Sequence, residues 1–431
     1  MLNLIFEVMM KLSFLIFLLC ILISLKNQNA ETKKCSSSFP IAINWSPSSR
    51  DLCPSVLLSV EDEQEFHSRR SLEYDFYRDS CPQAEKIVRD LVWDIYRVRS
   101  SVAPALLRLA FHDCFVEGCD ASILLDTAGG LKSEKESTPN LNLKGFDIID
   151  IIKSHLEEVC PGVVSCADIV VLAAREGVVQ TGGPFYPVFT GRRDATHSFP
   201  DKATSELPSP QAHLPETLAS FASKGFDERE TVSLLGGHSI GMIHCKFFRN
   251  RLYNFNGTDK PDPSIDTQFL NLLRIICNSS TSASLPLSPS TLSASFDCSK
   301  LSSKASSSSS CKGSPSSSSE KPRRGAISVP SLQLQSLKLS SLEDPGINLA
   351  YEGHGVDFGG VYYRSLLHGR GILVSDQQLM SGEETAKWVS TYASDAALFR
   401  QDFARAMVKL SNLHVLTGSD GQVRLNCSKV V

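Results

Sequence analysis

LLRLAFHDCFVEGCDASILLD, residues 106–126, decides how this chain is read. Its first half has the apolar spacing of a helix. Arg108 and His112, four residues apart, fall on one face of it with Phe111 beside them. An ionisable pair inside an apolar run is costly unless it is satisfied or used. A neutral imidazole can take a proton from a bound peroxide and return it to the departing oxygen. A guanidinium keeps its charge and stabilises negative charge growing on that oxygen. Asn140 is a candidate to accept a hydrogen bond from the other ring nitrogen of His112.

The second half, DCFVEGCDAS, is an acidic loop bounded by two cysteines. Asp113, Asp120 and Ser122 offer side-chain oxygens, and the carbonyls of Asp113, Val116 and Gly118 can add more. Hard oxygen donors at short spacing suit calcium. Gly118 allows a tight turn, and a Cys114–Cys119 bridge would pin the loop. An ion here would brace the His112 helix from behind its working face. Far downstream, LLGGHSIG sets His238 in an equally apolar context. A haem iron needs an axial imidazole from the side opposite the reacting groups, so the two histidine settings together suggest a haem held between helices. The paired glycines would let backbone approach a flat cofactor. An iron-bound imidazole is expected to have its second nitrogen on a carboxylate, and Asp376 in GILVSDQQL is the candidate.

The chain has 431 residues and a formal net charge of -4, with no concentrated basic face of the kind nucleic-acid binding requires. No HExxH is present, which argues against that class of metal-dependent hydrolase. Lys11 precedes 14 apolar or small residues from Leu12 to Leu25, short for a membrane span and suited to a signal peptide over residues 1–30. Processing would leave no stable membrane span. Secretion would favour pairing of most of the 13 cysteines, and sequons at Asn44, Asn256, Asn278 and Asn426 permit glycosylation. Residues 31–71 read as an atypical extension. From Leu72 helical periodicity dominates, through residues 81–111, then over Asp147–Val159, Ser165–Gln180, Leu214–Lys224, Glu228–Leu235, Ala386–Ala393 and Ala396–Leu410. The class is mainly α. A serine-dense stretch over 279–341 interrupts this domain and is too polar to offset the cost of ordering.

YRDSCPQAE, LRLAFHDCFVEGCDASILLD, CPGVVSCADIVVLAAREGV, GRRDA, LLGGHSIG, GILVSDQQL and AMVKLSNLHVLTGSDGQVRLNC follow one another in this order. Through them the chain resembles the secretory (class III) haem peroxidases of plants, from about Leu72 to Val431. The resemblance implies a two-lobed, mainly α fold with haem b between distal and proximal helices. It implies Arg108, Phe111 and His112 as distal residues with Asn140 supporting His112, and His238 as axial ligand backed by Asp376. It implies disulfides Cys81–Cys160, Cys114–Cys119, Cys166–Cys427 and Cys245–Cys277. Glu134 would reach the distal calcium through water, and Pro208 would stand at the mouth where phenolic donors bind. The implied reaction reduces H2O2 to water through an oxoferryl intermediate while phenolic donors, cell-wall polymers among them, lose single electrons. A monomer in the extracellular space or cell wall, rather than the vacuole, is the expected setting. The sequence departs from the family at its second, proximal calcium. Ser239 replaces a threonine ligand, and FGGVYY puts Gly359 where a carboxylate belongs, with Asp357 and Asp344 as the nearest substitutes. That site is therefore in question. The alternative reading is a haem-binding homologue whose turnover is weak or lost.

Overall fold

The computed structural model describes residues 72–130, 132–278, 345–349 and 358–431. The expected signal segment, the extension over 31–71 and the serine-dense stretch lie outside them, as do Asn44, Asp344, Asp357, Cys20, Cys35, Cys53, Cys298 and Cys311. The described chain is mainly α-helical, with two small antiparallel sheets. The first sheet pairs β1 (Glu73–Tyr74) with a strand at Phe189–Thr190, β2 in chain order.

Helix α1 (Ala84–Val98) buries Ala84, Val88 and Val92, one residue per turn. With α2 (Val102–Cys114) and α3 (Phe146–Val159) it packs around α4 (Cys166–Gln180). Every residue of α4 from Cys166 to Val178 is buried, as expected of a helix apolar on nearly all sides. A Cβ on Gly177 would lie 3.1 Å from the Ala103 carbonyl oxygen, so the missing side chain sets how closely α2 and α4 approach. After β2 come α5 (Pro200–Glu206), α6 (Leu214–Ser223) and α7 (Glu228–Leu235). A reciprocal capping box between Asp227 and Glu230 starts α7, and α7 leads directly into His238.

A second, smaller core gathers Ile243, Phe248, Leu252, Phe269, Leu273 and Ile347. These come from β3 (Met242–His244), α8 (Arg249–Tyr253), α9 (Thr267–Asn278) and β4 (Gly346–Asn348) and their junctions, with β3 and β4 antiparallel and Ile243 opposite Ile347. The chain ends in α10 (Gly360–Leu367), α11 (Val374–Gln377), α12 (Glu383–Ser394) and α13 (Ala396–Ser411). Helix α13 packs on α7 and α2 and so joins the two halves of the site. Among the described residues no helix is long and apolar enough to cross a membrane.

The periodic segments form helices within a few residues of their expected bounds. Helix α12 begins at Glu383, three residues ahead of Ala386, because extended Gly382 precedes it and Glu383 and Glu384 suit its first turn. Helices α5, α8, α9, α10 and α11 are additional. Of these, α9 has a clear apolar face in TQFLNLLRIICN, and its nearness to the serine-dense stretch obscures it. Disulfides join Cys81–Cys160, Cys114–Cys119, Cys166–Cys427 and Cys245–Cys277. The Cys166–Cys427 bond spans 261 residues and ties the start of α4 to the chain end. Closing a long loop restricts the unfolded chain. Replacing both cysteines by serine is expected to cost about 2–5 kcal/mol, read as a lower urea midpoint. An unchanged midpoint would show that the bridge does not limit stability.

Candidate active site

Helix α2 brings Arg108, Phe111 and His112 to one face. The chain immediately beyond that helix forms the acidic loop, so the two motifs share a foundation. His112 is buried, and its Nδ1 lies 2.6 Å from Asn140 Oδ1. The Asn140 amide nitrogen donates to the Glu134 carbonyl at 2.9 Å, which fixes the amide so that its oxygen faces the ring. An amide oxygen only accepts, so Nδ1 carries the proton and Nε2 presents a lone pair. Burial, and then the charge of Arg108, push the His112 pKa down to about 3, with the Asn140 hydrogen bond opposing. The ring is therefore neutral above strongly acidic pH. Arg108 donates to the carbonyls of Pro139 at 3.1 Å and Asn142 at 3.4 Å. Its side chain is exposed, yet surrounding protein lowers its pKa by desolvation. Both observations hold for a group on the floor of an open slot. Phe111 walls that floor, 6.0 Å from the His112 ring and 4.6 Å from Phe115.

In the acidic loop Asp113, Asp120, Ser122 and Glu134 are all buried. Among the described residues Asp113 Oδ1, Ser122 Oγ and Glu134 Oε2 have no hydrogen-bond partner, although buried polar oxygens are normally satisfied. Asp113 Oδ2 accepts from the Ala121 amide at 3.1 Å, and Asp120 Oδ1 from the Ser122 amide at 2.9 Å. Val116 and Gly118 lie in the turn between them, and Gly118 has φ +143 with the Leu413 and His414 carbonyls where a Cβ would go. Burial pushes Asp120 up to about 6 and Glu134 up to about 7, and raises Asp113 further through repulsion from Asp120 and Glu134. Among the described residues no three His, Cys, Asp or Glu side chains converge as a metal cluster. The orphaned oxygens instead form a mixed set of carboxylates, a hydroxyl and turn carbonyls, which fits a hard cation of high coordination number. Arg424, buried alongside, partly offsets the negative charge of Asp113 and Asp120.

On the opposite side, His238 Nδ1 lies 2.8 Å from Asp376 Oδ1. Tyr362 donates its hydroxyl to the same oxygen at 2.9 Å. Burial alone would lower the His238 pKa, but the charge and hydrogen bond of Asp376 outweigh it and leave the pKa raised. The His238 side chain is 35% exposed while Asp376 is buried, so the unbonded nitrogen has open space before it. The charge of Arg108 is near enough to oppose that rise, and Gly237 of the His238 turn adjoins Leu107 of the His112 helix. Two imidazoles each anchored through Nδ1, with no hydrogen bond to Nε2 among the described residues, fit a flat iron cofactor. Of the two glycines before His238, the first is closely packed by protein. A Cβ on Gly236 would strike Tyr363 and Phe399, whereas one on Gly237 would make ordinary contact with Leu107 of α2. The loop carrying half-buried Pro208 is tied to α11, since the Ser375 amide donates to the Pro210 carbonyl at 3.2 Å.

A family model described as Peroxidase matches residues 88–395. An Arabidopsis thaliana protein named "Putative Peroxidase 48" is 50% identical over 365 residues, covering 84% of this chain and 83% of that one. Peroxidase 10 of the same plant is 39% identical, covering 83% and 86%. Peroxidase 5 of Vitis vinifera is 38% identical, covering 86% and 93%. The chain belongs to the class III secretory peroxidases of plants. It is a haem peroxidase by family, and the mainly α fold agrees.

Within that family frame, Ser239 is buried with an unpartnered hydroxyl. Gly359 caps α10 at φ +100, and Phe399 occupies the place a Cβ would take. The backbone and the neighbouring ring thus both oppose a carboxylate at 359. Sequence reasoning used Tyr362 only as a landmark and missed its bond to Asp376. The paired tyrosines of FGGVYY were the available signal. It also missed Arg424, whose only sequence trace is its place near Cys427.

Two outcomes follow. Carboxyl groups raised in the folded state favour folding only while protonated. With calcium chelated, the melting temperature should therefore fall as pH rises from about 4, the ordinary carboxyl range, toward the folded values of about 6 to 7. Excess calcium should remove that fall, because the ion takes the place of the protons. A chelated protein with a flat profile over this window would count against the acidic loop as an ion site. The change Gly359→Asp should lower the melting temperature without adding a bound calcium, read by metal analysis.

Proposed function

We propose that this chain reduces H2O2 to water and takes single electrons from phenolic donors, with haem b on His238 and one calcium in the acidic loop. The observation that carries the reading is the facing pair of histidines, each held through Nδ1 by a different kind of partner. Asn140, a neutral acceptor, leaves His112 a neutral base. Asp376, a carboxylate, gives His238 imidazolate character. Haem, when bound, supplies the iron that receives peroxide and stores its two oxidising equivalents.

The residues do the rest. His112 Nε2 accepts the peroxide proton and holds it for return to the departing oxygen. The Asn140 bond keeps the other nitrogen from competing. Arg108, tethered to the Pro139 and Asn142 carbonyls, keeps a fixed positive charge beside the oxygen that becomes negative. Phe111 keeps that side of the slot apolar. Asp113, Val116, Gly118, Asp120 and Ser122 would ligate the calcium, with Glu134 reaching it through water. The second calcium is not part of the proposal, because Gly359 offers no carboxylate. Pro208 would line the donor entrance. Secretion to the cell wall fits the family, as do phenols and wall polymers as donors. The intact His238–Asp376–Tyr362 arrangement weighs against a homologue with lost turnover.

One equivalent of H2O2, mixed with haem-loaded protein in a stopped-flow instrument, tests the reading. His112→Leu should slow the spectral change by about 10²- to 10⁴-fold while haem stays bound. Because the His112 pKa is depressed to about 3, the wild-type rate should hold from neutral pH down to near that value and fall only below it. His238→Ala should lose the axial-histidine spectrum. A full rate in the His112 variant, or an unchanged spectrum in the His238 variant, would overturn the assigned roles.

A further inference from the structure

A line of aromatic rings runs from His238 toward the protein surface on α10 and α12. The Tyr362 ring lies 6.5 Å from that of His238, Tyr363 4.9 Å from Tyr362, and Tyr392 5.1 Å from Tyr363. Trp388, half-buried, lies 5.7 Å from Tyr392. All three tyrosines are buried. Centroid spacings of this size place ring edges close to contact. Single electrons can therefore move ring to ring without crossing open space.

The hydrogen bonds give the line direction. A phenol loses its proton when it loses an electron, so it is an easy stopping place only beside a base. Tyr392 donates to Asp402 Oδ2 at 2.7 Å, and Tyr362 to Asp376 Oδ1 at 2.9 Å. Tyr363 donates to the Val232 carbonyl at 2.9 Å, which cannot take a proton. Tyr392 is thus the station nearest the surface, and the rings of Tyr363 and Tyr362 carry the electron on to His238. At the outer end, the Arg229 guanidinium sits 4.5 Å from the Trp388 ring and is held by two 2.9 Å bonds to Asp402. A cation over the indole makes it harder to oxidise. Once oxidised, Trp388 is then a stronger oxidant toward whatever meets it.

We propose that Trp388 is a second oxidation site, remote from the haem slot, for phenols borne on polymers too large to enter that slot. The inference rests on the peroxidase reading above, which supplies the oxidant. Per H2O2, two polymer phenols each give one electron to oxidised Trp388 and one proton to solvent. The electrons pass inward through Tyr392, whose proton shuttles to and from Asp402, and on through the rings of Tyr363 and Tyr362. H2O2 takes up two electrons and two protons and leaves as two waters.

The test compares haem-loaded wild type with Trp388→Phe, Tyr392→Phe and, as control, Trp93→Phe, which lies exposed on α1. Donors are p-cresol and tyramine-substituted dextran. Freeze-quenched samples with H2O2 and no donor are read by electron paramagnetic resonance. The expected result is an indolyl radical in wild type and in the Trp93 variant, absent in Trp388→Phe. Oxidation of the dextran-borne phenol should fall by about tenfold or more in Trp388→Phe and Tyr392→Phe, with p-cresol oxidation retained. Tyr392→Phe keeps a ring in place, so it carries the test if the Trp388 variant folds poorly. Equal dextran oxidation in all four proteins, or no Trp388-dependent radical, would overturn the proposal. Wild type that oxidises neither donor would overturn the peroxidase reading, and this inference with it.

Discussion

One carboxylate oxygen, Asp376 Oδ1, accepts from both His238 and Tyr362, and much of the proximal half is arranged around that fact. A buried carboxylate is tolerable only when donors surround it. Short helix α11 presents it, α10 brings the tyrosine, and the turn after α7 brings the histidine. Each of the three elements has its own anchor. The Pro210 carbonyl holds Ser375 of α11, the Asp227–Glu230 box starts α7, and Tyr363 binds the Val232 carbonyl to join α10 to α7. Displacing any one would leave a buried charge or hydroxyl short of a partner.

The distal half solves the reverse problem. There the protein leaves oxygens deliberately short of partners directly behind the His112 helix. Asp113 follows His112 in the chain, and Glu134 contributes its carbonyl to Asn140 while its carboxylate belongs to the acidic loop. The ion site and the base are therefore mechanically one unit. The Cys114–Cys119 bond closes the same loop. An ion that draws the loose oxygens together would also fix the amide that sets the His112 tautomer.

Much of this was legible in the order of residues. Arg108 and His112 share a helical face because they are four apart, and the oxygen donors of the acidic loop lie within ten residues. The pairing of His112 with Asn140 and of His238 with Asp376 was named from the sequence as a candidate. The atoms involved, and so the tautomers, were not. The crowding at Gly236 comes from Tyr363 and Phe399, which only packing reveals. Gly359 was recognised as a missing ligand, yet its positive φ and the Phe399 ring give the physical reason that no side chain fits there.

Helical class and local chemistry are encoded in the order of residues, because periodicity and short spacing act within a turn or a loop. Which distant groups meet follows from packing alone: Tyr362 on Asp376, Arg424 beside Asp113 and Asp120, and the ring line from His238 to Trp388. Such contacts span up to several hundred residues of chain. Their geometry is set by how α2, α4, α7, α10, α12 and α13 pack. No local pattern encodes that angle and distance.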